Sequence, residues 1–173
     1  MVVLDSTVLA LLLNPATNPP IDPSTGAPVT HIGARLKHLE AEMQRTGETI
    51  VIPTPVLSEV LVGLGEAGPA ALELINKSAR FKVAEFDQRA AVEVAAMTQD
   101  AIIAGDKKSG SSAPWQKVKI DRQIIAVARV NGAKCIYSDD GNLASFAAKL
   151  GLAVVRTWEL PMPPVSQGKL FED

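Results

Sequence analysis

One cysteine, two histidines and an aromatic content of only 4% are the shortages of this 173-residue sequence. Each removes a class of protein. A lone Cys135 cannot close an internal disulfide, and one thiol cannot build a cysteine zinc knuckle. It lies in the strand-like stretch AKCIYS, where a buried, inert thiol is expected. His31 and His38 sit beside a polar loop and on the helix after it, and read as surface residues rather than metal ligands. No apolar run is long enough to span a membrane, because the N-terminal one is broken by Asp5 and stops at Asn14-Pro15. The start lacks a basic region and a small-residue cleavage site, so no signal peptide is expected and a cytoplasmic location is. A net charge of −2 argues against a generically basic nucleic-acid coat and leaves local patches open.

What is present is a regular alternation. VVL (2–4) reads as a short buried strand and STVLALLL as an apolar helix directly after Asp5. Residues 14–30 hold five prolines and a glycine, which predicts a surface loop. Ile32, Leu36, Leu39 and Met43 recur at helical spacing up to Gly47, and TIVI (49–52) is a strand. Thr54 with Pro55 behind it is a helix start, with Thr54 as the cap. A further helix over GPAALELINKSA, a strand over FKVAEF (81–86) and a helix capped by Asp87 follow. The stretch 106–119, DKKSGSSAPWQKVK, is small, polar and basic and is expected to be a mobile loop, with the next helix opening at Asp121. AKCIYS (133–138), a helix over DGNLASFAAKLG and the strand LAVVRT (152–157) complete the pattern, and residues 161–173 read as a loosely held tail. Strands alternating with helices predict an α/β fold, three layers α/β/α around a central, mostly parallel sheet, in one domain over 1–160. Sites in such sheets form beyond the carboxyl ends of the strands.

Four acids fall in that region. Asp5 ends the first strand, Asp140 with its neighbour Asp139 follows the strand AKCIYS, Asp121 begins the helix leading into that same strand, and Glu59 lies on the helix after TIVI. Each has an ordinary reading. Asp5, Asp121 and either of Asp139 and Asp140 can be helix caps, and Glu59 can face solvent. Jointly they point elsewhere. Carboxylates crowded at one sheet edge repel, and burial raises their pKa values. A hard divalent cation resolves the conflict, and oxygen-only ligands suit Mg²⁺ or Mn²⁺ acting on a phosphate ester better than zinc.

These stretches, VVLDSTVLALL, IVIPTPVLSEVLVG and KIDRQIIAVARVNGAKCIYSDDGNL, resemble the PIN-domain ribonucleases, in particular the VapC-like toxins of bacterial toxin–antitoxin pairs. The likeness covers nearly the whole chain. It matches Asp5-Ser6 to a strand-end Asp followed by Thr or Ser, Glu59 to a Glu within a segment like TPVLSEVLVG, and Asp121 to D-x-x-I-x-A. It matches Ser138, Asp140 and Leu143 to T-x-D-x-x-F, with Ser for Thr and Leu for Phe. Asp139 is an added acid at the variable position, so either of the pair can face the metal, and Asp140 is favoured. The resemblance implies one or two Mg²⁺ or Mn²⁺ ions held by Asp5, Asp121 and Asp140 with Glu59 nearby. It implies Ser6 and Ser138 as orienting hydroxyls, RNA cleavage leaving 5′-phosphate and 3′-hydroxyl ends, a homodimer and a cognate antitoxin.

An acidic site must still attract a polyanion. Between 107 and 134, Lys107, Lys108, Lys117, Lys119, Arg122, Arg129 and Lys134 stand against the single acid Asp121, a local basic excess that can follow an RNA backbone, or be a solvated linker. Trp115 can stack on a base or fold back onto the domain. Other functions compete. A haloacid dehalogenase-type phosphatase needs a second Asp two residues after the first, where Thr7 stands. A receiver domain carries its paired acids after the first strand rather than a late one, and a flavin carrier would meet a repelling Asp5. A PIN-like module that binds RNA or protein without cutting, and a housekeeping or RNA-maturation nuclease, stay open.

Overall fold

The computed structural model describes residues 1–14 and 16–164. Five parallel strands form the central sheet: β1 (Val2–Leu4), β4 (Ile50–Pro53), β5 (Phe81–Ala84), β6 (Cys135–Tyr137) and β7 (Ala153–Val155), in the spatial order β5-β4-β1-β6-β7. β1 is central, pairing Val3 with Val51 of β4 on one side and with Ile136 of β6 on the other. The chain therefore builds outward from β1 in one direction, then crosses back and builds in the other. The reversal leaves a crevice at the carboxyl ends of the central strands, where α/β sheets place their ligands.

Burial explains why these short runs are strands. All of Val2–Leu4 and Ile50–Pro53 is buried, the continuous apolar pattern of a parallel sheet covered on both faces. Helices α1 (Ser6–Leu13), α2 (Ile32–Thr46), α3 (Thr54–Leu64), α4 (Gly68–Lys77), α5 (Gln88–Ile103), α6 (Trp115–Val130) and α7 (Gly141–Lys149) complete the three-layer α/β/α architecture. α6 is the most deeply set, with Val118, Ile124, Ile125, Val127 and Ala128 all buried. Among the described residues, no helix is long and apolar enough to cross a membrane.

Several sequence-based expectations are corrected. The proline-rich segment 14–30 is not all loop: β2 (Ile21–Asp22) and β3 (Ala27–Pro28) pair as a small antiparallel hairpin, and Val29 is buried. Thr54 does not cap α3; its hydroxyl accepts from the Phe86 N–H at 3.1 Å, tying the start of α3 to the segment after β5. The largest change concerns 106–119. α6 opens at Trp115, six residues before Asp121, so Lys117 and Lys119 are helical and Asp121 is not a cap but lies in the second turn. The remainder of the segment is held by Asp106, whose carboxylate accepts from the N–H groups of Lys108 and Gly110. Of the tail, 165–173 lie outside the described residues.

Candidate active site

Asp5 leaves β1 and becomes the N-cap of α1, its Oδ1 accepting the Val8 N–H at 2.9 Å. The cap is one use of the side chain, and it fixes where the other oxygen stands. Asp5 is only 5% exposed. Burial pushes its pKa from the ordinary 3.8 up to about 6, with the charges of Asp139 and Asp140 adding to the rise and hydrogen bonds from Ser138 and the Val8 N–H opposing it. Asp140 does the same for α7 that Asp5 does for α1: its Oδ1 accepts from the N–H groups of Asn142 (2.7 Å) and Leu143 (2.9 Å). Both cap readings from sequence are therefore met, and neither excludes a second role.

Ser138 joins the two acids. It is fully buried, hydrogen-bonds through its side chain to Asp5, and accepts the Asp140 N–H on Oγ at 3.1 Å. Asp139 is occupied elsewhere. Its Oδ1 and Oδ2 accept from the N–H and hydroxyl of Thr157, each at 2.7 Å, which fastens the end of β6 to the chain beyond β7.

Asp121 is 4% exposed, and burial holds its carboxyl above the usual range, reinforced by the charges of Asp140 and Glu59 and opposed by Lys117. The Lys117 ammonium, one helical turn earlier, pairs with Asp121 Oδ1 and also with Asp140 Oδ2 at 2.8 Å. Burial favours a high pKa for Asp140 too, but Lys117 and the two backbone N–H donors win and leave it below the ordinary value. Lys117 itself loses some basicity to burial and gains more from its two acids, ending above the usual lysine value.

Asp5, Glu59, Asp121 and Asp140 line one cleft of about 580 Å³, together with Ser6, Thr7, Ser58 and Lys117. The floor carries Asp5 and Asp121; Glu59 and Ser58 are exposed on α3. Ile120, Ile124, Leu143 and Val62 supply apolar walls. The donors are all oxygens, the set a hard cation such as Mg²⁺ accepts. Among the described residues, however, no three His, Cys, Asp or Glu side chains stand close enough together to form a ready-made metal site. The positive charge between Asp121 and Asp140 is supplied by Lys117.

The basic residues singled out from sequence do not form one surface. Arg122 is 1% exposed and donates to Thr98 Oγ1 (2.9 Å), the Lys107 carbonyl (2.6 Å) and Ser109 Oγ (3.3 Å). It is a buried tie for the 106–114 segment and cannot reach an RNA phosphate. Its guanidinium also lies 5.4 Å from the Trp115 ring and 4.9 Å from that of Phe146, while Lys107 covers Trp115 at 5.0 Å. Trp115 is thus folded onto the domain. Lys108 donates to the Ala113 carbonyl, and Lys119 is exposed on α6. Sequence reasoning placed Lys117 on an RNA-binding strip and missed its part between the acids. The i to i+4 spacing from Lys117 to Asp121 was the available signal, hidden by starting the helix too late. Cys135 is half-buried and burial raises its thiol pKa, in line with an inert thiol.

The family model described as PIN domain matches residues 29–149, a span that includes Glu59, Asp121 and Asp140 and begins after Asp5. No curated protein matches the chain. Three solved structures are similar in fold over 90% of this chain. They are VapC20 of Mycobacterium tuberculosis, a Sarcin-Ricin loop cleaving toxin (19% identity, 99% of that chain, TM-score 0.55), and VapBC2 of Rickettsia felis bound to a promoter DNA fragment (14%, 98%, 0.54). The third is DNA-bound VapBC of Salmonella typhimurium (16% identity, 97% of that chain, TM-score 0.53).

Proposed function

The chain belongs to the PIN-domain family, and from that membership we propose that it is a metal-dependent endoribonuclease acting in the cytoplasm as the toxin of a toxin–antitoxin pair. The observation that carries this reading is the gathering of Asp5, Glu59, Asp121 and Asp140 on one cleft at the carboxyl ends of β1, β4 and β6. Residues 1–160 form the nuclease domain in this reading, with a homodimer and a cognate antitoxin as its protein partners. The solved VapBC complexes support the antitoxin, since their similarity extends over almost the full length of the chains matched.

Asp5, Asp121 and Asp140 would hold Mg²⁺ or Mn²⁺, with Glu59 at the open side of the cleft. When bound, such an ion lowers the pKa of a water and offsets charge on phosphoryl oxygens. The protein's own part is positioning. Backbone N–H groups at the starts of α1 and α7 fix the carboxylates of Asp5 and Asp140, so little motion accompanies the reaction. Ser138 sets the spacing between them. Ser6, at the same cleft, orients a water or carboxylate, and exposed Glu59 stands where it can take a proton from an attacking water. The exposed bases Lys107 and Lys119 attract the RNA backbone.

The test is to incubate purified protein with mixed RNAs in Mg²⁺ or Mn²⁺, and in EDTA, beside an Asp5→Asn protein. Cleavage only in the metal-supplemented wild-type tubes is expected. Intact RNA in every tube favours a PIN-like binding module instead. Expression of the wild type should arrest growth and Asp5→Ala should not. Cleavage without growth arrest favours a housekeeping or RNA-maturation nuclease.

A further inference from the structure

We infer that Lys117 is a built-in counter-ion that holds the site in the metal-free chain and must leave for a divalent cation to enter. The inference rests on reading the cleft as a cation-assisted nuclease site. Its ground is the juxtaposition of one ammonium with two acids from different elements, Asp121 of α6 and Asp140 at the cap of α7.

Asp121 is almost fully buried, and Asp140 Oδ1 is already committed to the Asn142 and Leu143 N–H groups. Asp140 Oδ2 is therefore the oxygen of that residue to which a cation would turn, and Lys117 Nζ occupies it while also pairing with Asp121 Oδ1. An ammonium and a divalent ion cannot share these lone pairs, and at such separations they repel strongly. The side chain can yield: Lys117 is 44% exposed, rooted in the second helical position after Trp115, and carried on a flexible four-carbon stem. Without it the metal-free protein would hold two mutually repelling carboxylates, one of them buried. Lys117 is in this sense a positioning residue. It keeps Asp121 and Asp140 facing each other before the ion arrives, and it lowers the affinity for the ion that replaces it.

The test measures Mn²⁺ affinity of the full chain by calorimetry and by the loss of the free-ion paramagnetic resonance signal, without RNA. Four proteins are compared: wild type, Lys117→Met, Lys117→Arg and Asp5→Asn. Lys117→Met should bind Mn²⁺ on the order of tenfold more tightly, the scale of coupling between two competing ligands. In EDTA it should melt below wild type, with a larger rise in Tm on adding Mn²⁺. Lys117→Arg keeps the competing charge and should bind no more tightly than wild type. Equal or weaker Mn²⁺ binding by Lys117→Met overturns the proposal, as does tighter binding by Lys117→Arg, which decides the matter if the Met variant does not fold. Mn²⁺ binding by the wild type that is lost in Asp5→Asn upholds the metal reading of the cleft whichever way the lysine variants fall. Failure of all the proteins to bind Mn²⁺ removes that reading and the lysine's role together.

Discussion

Asp139 and Asp140 are adjacent in the chain and serve different parts of the molecule. Asp140 caps α7 and meets Lys117 in the cleft, whereas Asp139 spends both carboxylate oxygens on Thr157. Their substitutions should separate accordingly. Asp140→Asn should reduce RNA cleavage by about two orders of magnitude or more, the scale on which positioned charge at a reacting phosphate acts. Asp139→Ala should keep cleavage within a few-fold and lower stability by about 2 kcal/mol, the worth of hydrogen bonds to a charged acceptor. Urea unfolding and a cleavage assay on the two proteins check both halves. A Asp139→Ala protein that is stable but inactive would reverse the assignment.

The buried carboxyl of Asp5 makes a pH prediction for the metal-free protein. Its folded pKa, about 6, lies above the ordinary 3.8, so the native state binds this proton more tightly than the unfolded chain does. Stability from this group is complete below about pH 4 and is lost as pH rises through 6. The loss is at most about 3 kcal/mol, at roughly 1.4 kcal/mol per pH unit. Asn caps a helix as well as Asp. In EDTA, Asp5→Asn should therefore gain stability over wild type between pH 4 and 6, with the difference levelling above pH 7. A difference that stays flat across this range would contradict the burial argument.

Arg122 should behave as a structural tie. Arg122→Met removes the donors to Thr98, Lys107 and Ser109 and is expected to cost about 2 kcal/mol. Relief of the buried Arg122 Nε, which has no hydrogen-bond partner among the described residues, offsets part of the loss. Limited trypsin digestion under native conditions should cut faster after Lys107 and Lys108 in the variant. An unchanged digestion rate would show that the segment is held by Asp106 and Lys108 alone.

Exposed Lys119 is the cleaner probe of RNA attraction, because it is not drawn into the acid cleft as Lys117 is. Lys119→Ala should weaken RNA binding about equally for different sequences and reduce the slope of log affinity against log salt by roughly 0.7 to 1. Binding measured in EDTA at several salt concentrations with the Asp5→Asn background avoids cleavage. An unaltered slope would place the RNA path on another face.

The sheet was legible from sequence because fully buried parallel strands are short apolar runs with nothing polar inside them. VVL and IVI are buried throughout, and a chain of that pattern has few alternatives. The acids were legible for a related reason: a carboxylate between apolar runs, as at Asp5, needs a partner. What escaped was the start of α6. Asp121 and Arg122 are polar residues on a buried face, so apolar periodicity fails over this part of the helix. The small, basic composition before Asp121 then read as mobile loop. The same error sent Lys117 and Arg122 to the surface, although one enters the cleft and the other the interior.

Sequence by itself determined the α/β alternation and the parallel sheet, because these depend on local hydropathy, and it singled out Asp5 because a carboxylate between apolar runs is costly without a partner. Only the tertiary structure decided which charges meet. Strand order brings β6 beside β1, so that Ser138 reaches Asp5, and the pairing of β6 with β7 brings Thr157 to Asp139. The packing of α6 and α7 brings Lys117 to Asp140, a residue distant in the chain. Coulomb and hydrogen-bond terms act over a few ångströms, and it is the topology of the sheet and its helices that sets those distances.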